Sequence, residues 1–123
     1  MVTTAKPTIA GFDAVVQNSA FKCAFISPGD QYAYGKVLQL KRHNDTDEVF
    51  VLLSGKAVLL TKEDDNSDYQ TTLLQPKTAY NVAKGTWHHL AVSEDAVVFV
   101  TESGSMKKEN TQCRNIEDEN ISL

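Results

Sequence analysis

The chain has 123 residues, the size of a single domain. Its 12 basic and 16 acidic side chains give a formal net charge of −4, which argues against a nucleic-acid partner or an anionic-membrane surface. No apolar run approaches the roughly 20 residues of a membrane span, and the first residues show no signal-peptide pattern. The two cysteines, Cys23 and Cys113, lack any disulfide-framework or zinc spacing. We therefore expect a cytoplasmic protein with two separate thiols.

Short β-rich runs separated by turn signals dominate the sequence, and no long stretch has apolar residues at helical spacing. Residues 11–20 have a weak signal for a short helix starting at Asp13. Eight later runs are predicted as strands: 21–26, 32–40, 49–53, 56–61, 69–74, 79–82, 87–92 and 96–102. Such a series is typical of an antiparallel sandwich or barrel.

The last stretch, residues 103–123, is polar and strongly charged. Its few apolar side chains are Met106, Ile116, Ile121 and Leu123. It is either a solvated tail or a segment that wraps the barrel or a partner chain through these side chains. We expect partial order in its first half. The chain, 1–123, is thus predicted to be one domain with a barrel core at about 21–102 and a C-terminal extension.

Two adjacent histidines, His88 and His89, lie in one predicted strand. Neighbours on a strand point to opposite faces, so only one of the two can face the core. The face of His88 also carries Leu90 and Val92, and we place this more apolar face inward. His89 then shares the outer face with Trp87. A histidine among core side chains is more often a satisfied core residue than a ligand, and the spacing alone favours that role for His88.

The third histidine, His43, lies in a polar stretch between two predicted strands. Glu48 follows five positions later, where a nearly continuous apolar run begins. A tight connection would bring the two side chains to one pocket. The alternative is an ordinary solvated loop.

This stretch resembles the first motif of the cupin superfamily, which has two histidines one residue apart, then a glutamate, then six residues and a glycine. His43 fits the second histidine, Glu48 the glutamate and Gly55 the glycine, whereas Lys41 stands at the first histidine. The second motif has a proline, a glycine two positions later and a histidine three further on.

In this second motif Gly85 and His88 fit, and Ala83 replaces the proline. The two motifs lie at the right separation, and the resemblance covers about residues 37–102. It implies an all-β fold of the cupin type, a double-stranded β-helix or jelly-roll barrel, which often pairs as a homodimer.

The resemblance also implies a small polar ligand that is bound or converted in the barrel mouth. His43, Glu48 and His88 are the candidate ligands of one divalent transition metal, such as iron, manganese, nickel or zinc. Three further residues are candidates for contact with the small molecule, an anion in view of the lysine: Lys41, Phe50 and Trp87.

Three functions remain open on this evidence. The first is a metal-dependent enzyme, in which Lys41 orients an anionic substrate. The second is a metal-free cupin that binds a ligand as a sensor or accessory protein, with Lys41 and Glu48 forming an ion pair and His88 only hydrogen-bonding. The third is a structural dimer without a small ligand. The lysine favours the second function, and the three retained motif residues favour the first.

Overall fold

The computed structural model describes residues 1–105 and 110–123. Ten strands are present in this part: β1 (Gly11–Gln17), β2 (Lys22–Ser27), β3 (Gln39–His43), β4 (Glu48–Ser54), β5 (Ala57–Lys62), β6 (Gln70–Leu73), β7 (Ala79–Val82), β8 (Trp87–Val92), β9 (Val97–Glu102) and β10 (Thr111–Asn115). Two short 3₁₀ helices span Asp30–Tyr32 and Glu117–Glu119. None of the described helices is long and apolar enough to cross a membrane.

The strands form two five-stranded sheets. Sheet 1 has the order β1-β2-β9-β4-β7, and sheet 2 has the order β10-β3-β8-β5-β6, with antiparallel pairing between these strands. The structure is therefore all-β, as predicted. Strand β9 shows why these residues form such a sheet, since Val98 and Val100 are buried while the alternating Val97 and Phe99 are only partly buried. This alternation turns every second side chain towards the other sheet.

The main hydrophobic core lies between the two sheets. Its largest members include Ile26, Phe50, Leu52, Leu59, Leu90, Val98 and Val100. A second cluster packs on the outer face of sheet 2: Val37, Leu40, Leu60, Trp87 and Ile116, with Tyr69, Ile121 and Leu123 against it. The central strands β5 and β8 of sheet 2 thus pack on both faces, whereas the edge strand β6 is exposed.

The C-terminal extension covers this outer face. Strand β10 pairs with β3, and Ile116 immediately after it is fully buried. The backbone N–H of Val37 donates to Ile121 (2.7 Å), and Gly35 and Leu123 exchange two backbone hydrogen bonds. Residues 110–123 of the extension therefore wrap the barrel, so contacts continue through its second half, beyond the partial order that we expected for the first. Met106 lies outside the described residues.

Two sequence predictions of local structure are wrong. Residues 11–17 form strand β1 and not a helix, because pairing with β2 gives their backbone groups partners along almost the whole strand. The predicted strand 32–40 is displaced, since the 3₁₀ helix Asp30–Tyr32 and Gly35, with φ of 141°, occupy its beginning. Strand β3 instead runs Gln39–His43 and includes polar residues assigned to a loop, because β8 and β10 pair with it on either side.

Candidate metal and ligand site

Four side chains that can donate to a metal meet between the two sheets. They are His43 at the end of β3, Glu48 at the start of β4, His88 in β8 and Glu102 at the end of β9. Two imidazoles from sheet 2 thus face two carboxylates from sheet 1. The polar stretch around His43 does bring it to Glu48, because only residues 44–47 separate β3 from β4.

The distances within this group are short. His88 Nε2 lies 3.2 Å from Glu48 Oε1, and His43 Nε2 lies 3.4 Å from Glu48 Oε2. His43 Nε2 is also 3.8 Å from Glu102 Oε2. All four side chains are at least largely buried, and Glu48 exposes only 5% of its surface. The interactions are therefore screened by water and salt much less than those of a surface pair.

Contacts between two loops position the histidines. The carboxylate of Asp47 accepts a hydrogen bond from the backbone N–H of Lys84 (2.8 Å) and one from Asn81 Nδ2 (3.2 Å). The Lys84 N–H, followed by Asn81, holds the pKa of Asp47 below its usual range. The backbone N–H of Gly85 donates to the His43 carbonyl (2.7 Å). These bonds fix the turn before β8 against the end of β3.

Both imidazoles are anchored through Nδ1. His88 Nδ1 donates to the Thr86 carbonyl (3.0 Å), so a neutral His88 has its lone pair on Nε2. His43 Nδ1 lies 3.0 Å from Thr111 Oγ1 on β10. Metal-binding histidines are commonly held in this way by a partner on the other nitrogen. Each Nε2 therefore faces the carboxylates.

The two carboxyl groups have opposite pKa shifts. Burial raises the pKa of Glu48, but the imidazoles of His43 and His88 outweigh it and hold the pKa well below its usual range. Burial and the neighbouring Glu48 raise the pKa of Glu102 to about 7. Lys22 Nζ, 3.5 Å from Glu102 Oε1, opposes that rise. Glu48 is thus an anion at neutral pH, and Glu102 gives up its proton less readily than an ordinary carboxyl group.

A cavity of about 490 Å³ opens onto these four side chains. Three of the six predicted site residues line it as donors, and Lys41 and Phe50 line it as well. The Phe50 ring packs edge-on to His88 at 6.1 Å. Lys41 lies directly opposite His88 across β3 and β8. The predicted ion pair between Lys41 and Glu48 is not formed, since the described groups within ion-pair distance of Glu48 are the two imidazoles.

The structure corrects the expectation that Trp87 contacts the ligand. Trp87 packs on the outer face of sheet 2 with Leu40 and Ile116, and Arg42 stacks over its ring at 4.3 Å. Neighbours on a strand point to opposite faces, so the inward direction of His88 turns Trp87 away from the cavity.

Several residues that line the cavity were not predicted as site residues from the sequence. Lys22, Tyr32 and Lys36 line the cavity, and burial, followed by the charge of Glu48, raises the pKa of Tyr32 to about 12. Glu102 had a readable signal, because it continues the inward series of Val98 and Val100 along β9. The lysines and Tyr32 had none, since β2 and the 3₁₀ helix meet the site only through the tertiary fold.

The donor set fits a divalent transition-metal ion. His43, Glu48 and His88 each offer one atom, and these atoms lie within 4.8 Å of one another. Atoms bound 2.0–2.2 Å from a common ion are about 3.0–3.5 Å apart at adjacent positions. The separations of 3.2 and 3.4 Å agree with that spacing, whereas a charged N–H···O hydrogen bond is about 2.7–2.9 Å. Two histidines and a carboxylate suit iron, manganese, nickel or zinc.

No protein-family model and no curated protein sequence matches this chain, but solved structures do. A mutant of the 3,4-ketoisomerase QdtA from Thermoanaerobacterium thermosaccharolyticum, in complex with TDP-4-keto-6-deoxyglucose, has a TM-score of 0.61 at 16% identity, covering 73% of this chain. The chain spans 63% of that ketoisomerase, less than two thirds. A variant of Streptomyces PAC13 with uridine has a TM-score of 0.60 at 16% identity, covering 94% of this chain and 88% of the other.

A cupin-2 domain containing protein from Shewanella frigidimarina has a TM-score of 0.54 at 20% identity, covering 80% of this chain and 84% of the other. Together with the two antiparallel sheets, these similarities show that the chain has the cupin fold. The resemblance found in the sequence is thereby confirmed for the fold.

Proposed function

We propose that this protein binds or converts a small polar, anionic molecule in the barrel cavity, at a divalent metal held by His43, Glu48 and His88. The convergence of both Nε2 atoms on Glu48, at the separations of a ligand shell, is the observation that supports it. A metal at this place would supply a Lewis acid for a carbonyl or phosphoryl oxygen, or activate a water molecule.

The other cavity residues favour an anionic ligand. Lys22, Lys36 and Lys41 all line the cavity, so three of its lining side chains are cationic. Tyr32 keeps its hydroxyl proton at neutral pH and can donate a hydrogen bond to the ligand. Two of the similar structures are described with TDP-4-keto-6-deoxyglucose and with uridine, ligands of the size and polarity that such a cavity admits.

The decisive experiment measures metal content. The untagged protein is purified without chelator, together with His88→Ala and the matched control His89→Ala, whose histidine also lines the cavity but is not one of the three grouped donors. We expect near-stoichiometric metal in the wild type and the control, and its loss in His88→Ala with an unchanged circular-dichroism spectrum. Equal metal content in the wild type and His88→Ala would refute the assignment of the ligands.

A metal-free ligand-binding protein is the second candidate, and Lys41 at the place of the first motif histidine favours it. An ammonium beside the donors repels a cation and attracts an anion. On this alternative the wild type stays metal-free after incubation with iron, manganese, nickel and zinc. Lys41→Gln then weakens the binding of carboxylate and phosphate ligands, whereas Lys56→Gln, an exposed lysine outside the cavity lining, leaves it unchanged.

We also propose that the protein is a cytoplasmic homodimer in which each chain forms one cupin domain. Light scattering coupled to size-exclusion chromatography tests the dimer directly. A monomer at micromolar concentration would remove this part of the proposal without affecting the site, because all four donors come from one chain.

A further inference from the structure

Glu102 stands beside the three candidate ligands but belongs to neither cupin motif. It lies opposite Glu48 in the pairing of β4 with β9, so the two carboxylates are direct neighbours in sheet 1. Its side chain is only 3% exposed. The inward direction follows from the alternation of β9, which also buries Val98 and Val100.

One oxygen of Glu102 has no hydrogen-bond partner in the described part of the chain. Lys22 Nζ approaches Oε1 at 3.5 Å, but Oε2 is buried and accepts no hydrogen bond from the described residues. A buried carboxylate oxygen without a partner is costly, and two adjacent carboxylates repel each other. Such an atom in a folded protein calls for an explanation, and a bound ion is one.

The direction of this oxygen agrees with a bound cation. Oε2 is the atom that faces His43 Nε2, at 3.8 Å. This separation is too long for a charged hydrogen bond, and it exceeds the spacing of about 3.0–3.5 Å between adjacent ligands by a few tenths of an ångström, so a small side-chain shift brings Oε2 to that spacing. Glu48 Oε2 approaches the same Nε2 at 3.4 Å, so the two carboxylates flank one imidazole nitrogen.

The charge and the number of donors also fit. The two cupin motifs together contain three histidines and a glutamate, and Lys41 on sheet 2 replaces one of these histidines. A carboxylate from sheet 1 would restore four donors. Two neutral imidazoles and two carboxylates carry a charge of −2, which balances a divalent ion.

We propose that Glu102 is a fourth ligand of the metal site and binds the ion through Oε2. This inference rests on the proposed function, because it presupposes that His43, Glu48 and His88 bind a metal. It differs from the pattern of the cupin motifs, in which the fourth ligand would be a histidine at the position of Lys41.

The test is titration calorimetry of chelator-treated protein with Co²⁺ and Zn²⁺. Glu102→Gln keeps the shape of the side chain but removes its charge, and Glu102→Ala removes both. Asp30→Asn is the matched control, because Asp30 also lines the cavity and its loss changes the charge by the same amount. We expect both Glu102 variants to fold, since neither introduces a new charge beside Glu48.

We expect the Glu102 variants to lose more than about 100-fold in affinity, beyond the roughly 10–100-fold that an outer partner contributes. Asp30→Asn should change it less than about threefold. The visible absorption of bound Co²⁺ should also change in Glu102→Gln, because the ligand number changes. An unchanged spectrum with a loss below tenfold would overturn direct ligation and leave Glu102 as a positioning residue for His43.

The outcomes separate this inference from the proposed function. If the wild type binds Co²⁺, His88→Ala does not, and Glu102→Gln binds it as tightly as the wild type, only the fourth ligand is refuted. If the wild type binds neither ion at millimolar concentration, the three-residue metal site fails and the fourth ligand fails with it.

Discussion

Replacing Gly55 by alanine should destabilise the barrel strongly, and the structure allows the size of the effect to be worked out. Gly55 lies in the turn between β4 and β5 with a φ of 72°. A Cβ atom at this position would stand 2.5 Å from Ala96 Cα and 2.7 Å from Ala96 N. Both are backbone atoms of the neighbouring turn, so they cannot rotate away as the end of a side chain can.

Gly85 provides a matched control, because it has a similar φ of 83° but no atom within 4 Å of an added Cβ. A left-handed backbone costs an alanine about 1–2 kcal/mol, partly offset by about 0.4–1 kcal/mol from the restricted unfolded chain. We therefore expect Gly85→Ala to lose about 1 kcal/mol. Gly55→Ala adds an overpacking cost of about 1–3 kcal/mol, for a total of roughly 2–4 kcal/mol.

Urea unfolding of both variants, followed by circular dichroism, measures this difference. The slope of the free energy against urea should stay that of the wild type, so that the change appears in the midpoint. Equal losses in the two variants would refute the reasoning, since they would show that the approach of Ala96 to Gly55 costs nothing.

Three further predictions concern the outer core and the site. Ile116→Ala should lower the free energy of unfolding by about 2–4 kcal/mol in thermal unfolding, because Ile116 is fully buried, and a loss below about 1 kcal/mol would contradict its packing. In chelator-treated protein, the raised pKa of Glu102 makes the folded state hold a proton that the unfolded state releases near pH 4.5. The free energy of unfolding should therefore fall as pH rises from about 4.5 towards about 7. The Glu102→Gln variant should show a weaker dependence of this free energy on pH. Lys41→His should tighten nickel, manganese or zinc binding in titration calorimetry, and an unchanged affinity would show that Lys41 does not weaken the site.

Much of the fold could be predicted from the sequence, because most strands carry a local signal. Strands β4, β5, β7, β8 and β9 all fall close to their predicted limits. Strand β3 contains a single apolar residue, Leu40, and is a strand because β8 and β10 pair with it. Strand β1 contains four apolar residues, but we assigned it a weak helix signal from its sequence. Local periodicity does not predict pairing between strands that are distant in sequence.

The C-terminal extension is a second segment whose structure could not be predicted from local sequence. Its composition is that of a solvated tail, and only a few isolated apolar side chains indicate otherwise. Ile116 finds a place because the outward residues Leu40 and Trp87 form an apolar surface on sheet 2. The extension also reaches the site, since Thr111 on β10 contacts His43 Nδ1 (3.0 Å). A segment that composition assigns to solvent therefore orients a candidate ligand.

Some residues of the candidate site could be predicted from motif spacing along the chain, and others only from the pairing of strands. His43 and Glu48 are neighbours along the chain, and the turn before His88 has a recognisable glycine, so motif spacing was sufficient for all three. Glu102 is inward by the same alternation that buries Val100, yet alternation says nothing about which residue lies opposite. Only the register of β4 with β9 places Glu102 beside Glu48, so that the two carboxylates form a neighbouring pair. Substitution of a motif residue, as at Lys41, therefore does not show that a metal site is lost, because a strand of the opposite sheet can supply the missing donor.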